Sequence, residues 1–420
     1  MSPAGEVIAD ADVVVEDEVL QDAWVLVEDG CITDVGGADR PPPRAACRTS
    51  VKGAAVLPGF VDIHVHGGGG HSFGGDTAST EAVARFHALA GTTCMLAGLA
   101  TSPGPGLLDE VKRLRPCYEE VASGARILGV HLEGPFISKI RKGAHDPKLI
   151  RRPDPAELAA VHEASGGRVR LVTAAPELDG FADLASAAAA AGIRVSAGHT
   201  DAQGPDYLRA IEAGTRSLTH TFNGMRPVTH RDPGVLEPIV DTDVFCELIC
   251  DGVHVHPTLV RLLRLLVGRD RLILITDAVA WAGLPDGEYR SGIRHVEVRD
   301  RGVRLFGSDT LAGSTLTMGE AVARYARYTG AGLVELAQVA STNAACLLGE
   351  DHRIGRIRPG HSADLVVVDS ARAPVGVMCG GRWISRPGEV APAPSAPCGS
   401  EMDVTQCACA DTQTDTERGS

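Results

Sequence analysis

Two imidazoles stand two residues apart at the end of the run Pro58-Gly59-Phe60-Val61-Asp62-Ile63-His64-Val65-His66-Gly67-Gly68-Gly69-Gly70. The apolar part reads as a buried strand and the glycines as the loop that ends it. Alternate strand residues share a face, so His64 and His66 point the same way. Such a pair suits a divalent metal; the plainer reading is two hydrogen-bonded histidines at a strand end. Other apolar runs end in similar residues: Glu133, His199, His220 and Asp277. Singly, Glu133 could be a solvated strand-end charge and His199 could cap a turn. Together they form an imidazole–carboxylate set that fits zinc or ferrous iron, because buried charges need a partner or a metal.

The elements that must position these groups alternate along the chain. Apolar strands are expected at 58–66, 92–99, 126–132, 168–174, 193–198, 217–222, 244–250 and 271–276. Helical stretches are expected at 79–90, 106–122, 155–164, 181–191, 205–213 and 257–267, with two more near 316–329 and 333–348. Eight strand–helix units predict an α/β fold, a closed (β/α)8 TIM-like barrel with reacting groups at the C-terminal strand ends. An open doubly wound sheet is the alternative, but no Gly-x-Gly-x-x-Gly follows the first strand.

Strand character at both chain ends predicts a small β-sandwich domain shared between them. It spans 13–15, 23–27 and 31–35, with a turn at Glu28-Asp29-Gly30, and returns at 364–369, 375–379 and 381–384. The expected division is 1–57 for the first part of this domain, 58–352 for the metal-holding barrel and 353–387 for its second part. Residues 388–420 are rich in Ala, Pro, Ser, Thr and Asp and predict a disordered tail.

The net charge of −14, with no basic block, argues against a nucleic-acid partner. No apolar run approaches a membrane span, and Met1 to Glu6 lacks signal-peptide character, so a cytoplasmic protein with no membrane partner is expected. The 11 Cys are scattered and read as buried thiols. Cys407-Ala408-Cys409 lacks zinc-knuckle spacing and receives no role.

The segments Pro58 to Gly67, His131-Leu132-Glu133-Gly134-Pro135-Phe136, Ala197-Gly198-His199-Thr200, Leu218-Thr219-His220-Thr221-Phe222-Asn223-Gly224-Met225 and Ile275-Thr276-Asp277-Ala278 resemble the metal-site motifs of the amidohydrolase superfamily. More narrowly, they resemble the N-acetylglucosamine-6-phosphate deacetylase family, from the N-terminal strands to about Trp383. The resemblance implies deacetylation of N-acetylglucosamine 6-phosphate to glucosamine 6-phosphate and acetate. It implies a principal divalent metal on Glu133, His199 and His220, a second on His64 and His66, and Asp277 as general base and acid. Either one or two ions, zinc or iron, fit this expectation. Ala144 and His145 would lie near the acetamide, Asn223 and Gly224 against the sugar, and Arg231 on the phosphate. Asp251 would accompany His254, a residue often reached from a neighbouring subunit, and Leu311, Ala312 and Gly313 would close over the substrate. A homodimer follows from the same likeness. Gly224 replaces an Ala common among relatives, which should add backbone freedom without changing the chemistry.

The residue types suit amide hydrolysis independently of this likeness. A bound divalent ion brings the pKa of water toward ~7 and polarises a carbonyl. A carboxylate can move the proton to the leaving amine, a neutral His can donate to an oxyanion, and an Arg fork matches a phosphate. Other readings are another amidohydrolase with a different amide substrate, or a catalytically silent scaffold barrel. The plainer reading of Arg231 is an ordinary loop charge. His131 is expected to be a packed barrel histidine, and Gly67 to Gly70 to let backbone pass close to the metals rather than to cradle a phosphate.

Overall fold

A computed structural model describes residues 5–101, 104–119, 124–291 and 294–389. From residue 390 on, the expected disordered tail lies outside the described residues, as do Cys407–Cys409.

Eight parallel strands follow one another around a (β/α)8 barrel: Phe60–Val65, Thr92–Ala100, Arg126–Glu133, Val169–Ala174, Arg194–Ala197, Thr215–Leu218, Phe245–Ile249 and Leu272–Ile275. Seven neighbouring pairs are laddered. The seam between the first and eighth strands is closed differently. The Asp62 carboxylate accepts from the Thr276 hydroxyl at 2.5 Å, and the Asp277 amide donates to His64 O at 2.8 Å. The His66 amide donates to Ala278 O at 2.8 Å. Asp62 is fully buried, and burial pushes its carboxyl up to about 6. The seam is thus pinned at the C-terminal rim, where His64, His66 and Asp277 meet.

The strands are buried on both faces and read as continuous apolar runs because helices cover the outside. The crossover helices lie close to their expected places, for example Thr77–Leu89, Pro155–Ala164 and Pro257–Val267. The stretch expected to be helical over 106–122 stops earlier, as Gly104–Leu114 plus a 3-10 turn at Arg115–Cys117. The six-residue helix Leu236–Asp241 had no sequence expectation; it is too short to show a period. The expected helix at 333–348 forms as Leu333–Ala337, a π turn Gln338–Thr342 and Asn343–Leu348.

Both chain ends join one eight-stranded sheet. Leu365–Val368 pairs with Ala55–Pro58 and Pro374–Cys379, and Glu6–Val15 pairs with Glu18–Glu28. The edge strand Cys31–Gly36 meets the segment before Leu365: Ile32 N donates to His361 O and Gly360 N to Ile32 O, each at 2.8 Å. The sheet therefore curls on itself, enclosing Ile8, Val25, Ile32, Leu365 and Met378. Asp29 and Gly30 both have positive φ, as a tight hairpin turn requires.

One element departs from the expectation of a plain barrel. Between the eighth strand and the helix Met318–Thr329, the strands Gly287–Ser291, Arg294–Arg299, Gly302–Leu305 and Leu311–Ser314 form an antiparallel sheet. Val296, Val298 and Val303 line its inner face, and charged residues alternate outward. The cysteines also depart in part from the expected pattern, since Cys31 and Cys47 are exposed. All eight described cysteines are free thiols. Among the described residues no helix is long and apolar enough to cross a membrane.

Candidate metal centre and active site

His64 ends on the first strand, and His66 follows it. Glu133 is the last residue of the third strand. His199, His220 and Asp277 each lie two residues beyond their strands, on backbone with φ of 46°, 29° and 50°. The left-handed region is costly for a residue with a Cβ, and its clustering here turns three side chains inward over the barrel mouth. This corrects the expected strand over 217–222. The ladder stops at Leu218, so His220 is a turn residue aimed by its own backbone.

The donor atoms converge. Glu133 Oε1 lies 3.1 Å from both His199 Nε2 and His220 Nε2, which are 3.2 Å apart. It also lies 3.4 Å from His64 Nε2. Oε2 faces His66 Nε2 and His145 Nε2, each at 3.3 Å. Asp277 Oδ1 lies 3.5 Å from His64 Nε2 and 3.4 Å from His66 Nε2. Glu133 thus stands between two groups of imidazoles.

Three imidazoles are fixed from behind. Their Nδ1 atoms meet Glu247 Oε2 at 3.1 Å (His64), Gly98 O at 3.1 Å (His66) and Arg141 O at 2.8 Å (His199). An Nδ1–H donated to such an acceptor leaves Nε2 as the lone-pair nitrogen, the tautomer a metal ligand needs. His64 Nε2 is buried without a hydrogen-bond partner. Burial works against charge on all these groups, yet the carboxylates prevail and hold His66 near 9. The ring of imidazoles in turn holds Glu133 well below the usual carboxylate range. The pocket therefore favours positive charge at its centre. A divalent cation meets that demand, and the donor set fits one.

Above the cluster is a cavity of about 240 Å³. Of the residues expected to contact substrate, Ala144, His145, Asn223, Gly224, His254, Leu311, Ala312 and Gly313 line it. Thr101 Oγ1 lies 2.9 Å from His145 Nδ1. Asp251 lies behind the wall; its carboxylate meets His254 Nδ1 at 2.6 Å and accepts from the His254 and Val253 amides at 2.8 Å. His254 lines the cavity of its own chain. Arg231 lies outside the wall, in an exposed turn anchored by Thr229 and Asp232. His131 is the packed histidine expected, with Nε2 at 2.9 Å from Thr173 Oγ1.

The amides of the glycine cluster run along the segment after Asp277, bonding the Ala278, Ala280 and Ala282 carbonyls. Gly224 is more constrained than its sequence context suggested. With φ of 58°, an added Cβ would press on the His199 ring at 3.0 Å.

Sequence reasoning missed two contributors. The antiparallel sheet roofs the cavity with Val296 and Leu305 and carries the strand Leu311–Ser314, whose residues Leu311, Ala312 and Gly313 were expected over the substrate without the sheet that holds them. Ser314 N donates to Asp277 O at 2.8 Å, tying this roof to the rim. Its strict alternation of Val and charge was the available clue. Glu247, buried on the seventh strand, carried no clue beyond being a charge inside an apolar run.

The amidohydrolase family model matches residues 55–384. The N-acetylglucosamine-6-phosphate deacetylase of Bacillus subtilis (strain 168) is 35% identical over 384 residues, 89% of this chain and 96% of the relative. The N-acetylgalactosamine-6-phosphate deacetylase of Escherichia coli O157:H7 is 35% identical over 75% of this chain and 84% of its own. Among solved structures, a mutant N-acetyl-D-glucosamine-6-phosphate deacetylase from Mycobacterium smegmatis in complex with N-acetyl-D-glucosamine-6-phosphate superposes with a TM-score of 0.85. It is 36% identical, covering 91% of this chain and 100% of that one. The barrel, the rim cluster and these similarities place the chain in the amidohydrolase family, whose members depend on divalent metal, and group it with the N-acetylglucosamine-6-phosphate deacetylases.

Proposed function

We propose that this protein removes the acetyl group from N-acetylglucosamine 6-phosphate, giving glucosamine 6-phosphate and acetate. The carrying observation is the convergence of Glu133, His199 and His220 within 3.2 Å beneath a cavity that also presents Asp277 and His254. In this reading Glu133, His199 and His220 hold the principal ion, and His64 and His66 support a second. Zinc or iron suits the mixed donors. When bound, the ion supplies Lewis acidity toward water and the amide carbonyl.

The remaining work belongs to side chains of this chain. Asp277 is ionised at neutral pH. Burial alone would raise its carboxyl, but His64 and His66 hold it below the ordinary aspartate range. It takes a proton from water as the oxygen attacks the acetamide carbon. It then passes that proton to the nitrogen as the C–N bond breaks, so acetic acid and a neutral amine form, and the acid's proton passes to the amine to give acetate and an ammonium group. His145, braced by Thr101, donates to the carbonyl oxygen as negative charge grows there. Asn223 and Gly224 orient the sugar, and Leu311, Ala312 and Gly313 keep water from it. His254, fixed by Asp251, faces the phosphate end.

Purified protein supplied with zinc or iron is expected to release acetate from N-acetylglucosamine 6-phosphate. Absence of release with every metal tried would defeat the proposal. Because a relative acting on N-acetylgalactosamine 6-phosphate matches at equal identity, the 4-epimer belongs in the same assay. Faster turnover of that epimer would favour another amide substrate, N-acetylgalactosamine 6-phosphate, over the one proposed.

Arg231 is proposed as a further phosphate contact. Its position on an exposed turn means it acts from the edge of the site or on a second copy. Support for a homodimer comes from Leu259, Leu262 and Leu265, 40%, 38% and 78% exposed along the helix Pro257–Val267, with Val240 60% exposed on the adjoining helix. The substrate class fits a cytoplasmic enzyme. Arg231→Ala is expected to raise KM for the phosphorylated sugar by roughly tenfold or more, the worth of one charge-assisted contact, with kcat little changed. An equal effect on unphosphorylated N-acetylglucosamine would remove Arg231 from the phosphate.

A further inference from the structure

Glu247 is a carboxylate at the centre of the barrel with no exposure to solvent. No Lys or Arg among the described residues forms an ion pair with it; its one charged-type partner is His64. Leaving such a group unpaired in an apolar interior is costly, so its contacts define its purpose. Oε2 faces His64 Nδ1 at 3.1 Å and accepts from the His220 amide at 3.2 Å. Oε1 accepts from Ser196 Oγ at 3.4 Å. From there the bonds continue around the barrel: Thr219 Oγ1 donates to Ser196 Oγ at 2.6 Å and lies 2.9 Å from Thr173 Oγ1. Thr173 meets His131, whose ring stands edge-on to His64 with centroids 4.4 Å apart. The chain of contacts returns to the imidazole where it began.

This belt lies one layer beneath the rim cluster. It holds His64 from two sides, by Glu247 at Nδ1 and by the His131 ring. It touches His220 only through the backbone amide, while the His220 imidazole Nδ1 has no partner in it. His64 is therefore the ligand whose orientation depends on Glu247. His64 Nε2 lies 3.5 Å from Asp277 Oδ1, on the side shared with His66.

We infer that Glu247 is a positioning residue that sets the occupancy of the second cation position. By fixing the ring and tautomer of His64, it makes that side of Glu133 a binding site for an ion held by His64 and His66, with Asp277 beside it. This rests on the reading of the rim cluster as a divalent-metal centre.

The test measures zinc binding by competition with a chromophoric chelator, with metal content from elemental analysis at controlled free zinc. Wild-type protein is expected to hold two ions. Glu247→Gln, close in shape, should weaken the second by roughly 10- to 100-fold, the usual effect of losing such an orienting partner, and leave the first within a few fold. Glu247→Gln placed in a His64→Asn background should add no further loss, since its effect runs through His64. A purely structural role would instead weaken both ions alike or add to the His64→Asn loss, and either result overturns the proposal. Wild-type affinities for both ions in Glu247→Gln, judged folded by circular dichroism, also overturn it. If Glu247→Ala does not fold, the Gln variant alone decides. One ion in saturated wild-type protein defeats this inference while leaving the deacetylase reading intact. No ion at all defeats the metal centre itself.

Discussion

Replacing Asp277 by Asn is expected to lower kcat by roughly 10³-fold or more, the range of a positioned general base and acid, while bound metal stays at the wild-type level. The two side chains have the same shape, and the backbone here is held independently of the carboxylate. Its amide donates to His64 O and its carbonyl accepts from Ser314 N, each at 2.8 Å. Gly313 makes that close approach possible; with φ of 84°, an added Cβ would meet Val279 at 2.4 Å and Asp277 O at 3.0 Å. The Asn variant should therefore keep the rim geometry and lose only the ability to carry a proton. Acetate release under saturating substrate gives kcat, and elemental analysis gives metal content. Turnover near wild type would remove Asp277 from proton transfer. Loss of metal in step with turnover would make it chiefly a ligand, a role its 3.4 and 3.5 Å approaches to His66 and His64 allow. Its carboxyl is already ionised well below neutrality, so the reaction should lose its base only in acid. That acidic fall in kcat/KM should disappear from whatever activity the Asn variant retains.

The residues most legible in the sequence were those at strand ends. An apolar run announces a buried strand, and a His, Glu or Asp closing it has few uses other than chemistry at a barrel mouth. His64, His66, Glu133, His199, His220 and Asp277 all meet within a few ångströms although they are spread over more than half of the chain. What escaped was set by tertiary contact. Glu247 lies in Phe245-Cys246-Glu247-Leu248-Ile249, where a lone charge could equally face solvent. Only the arrival of His64 and Ser196 from other strands gives it a role. The roof over the cavity escaped because its outer face is dense in Arg, Glu and Asp, which dilutes the apolar pattern of Val296, Val298 and Val303. His220 was assigned to the right rim for a partly wrong reason, since the strand ends before it and a positive φ does the aiming. Motif likeness pointed to Arg231 but could not say whose cavity it would serve.

Glu133 is the residue whose loss should be felt most widely. Its Oε1 faces His64, His199 and His220, and its Oε2 faces His66 and His145. It is thus the one described carboxylate within 3.4 Å of all five imidazoles. Glu133→Gln keeps the volume and removes the charge, so the cluster is left as neutral donors with Asp277 on one side. The variant is expected to come through dialysis without metal. Its deacetylation should fall by roughly 10⁴-fold or more, about 5.5 kcal/mol at 1.36 kcal/mol per decade. Thermal unfolding provides a check that does not depend on turnover. A ligand that binds only the folded state stabilises it by about 2.7 kcal/mol at 100 times its dissociation constant. Wild-type protein should show a corresponding rise in Tm when zinc is added, and Glu133→Gln almost none. Without metal the two should melt at similar temperatures, because the wild-type carboxylate is then buried among imidazoles that must carry protons to balance it. A variant that keeps both the zinc-dependent rise and its turnover would show that the ion is gripped elsewhere, and the convergence of five strand ends would need another explanation.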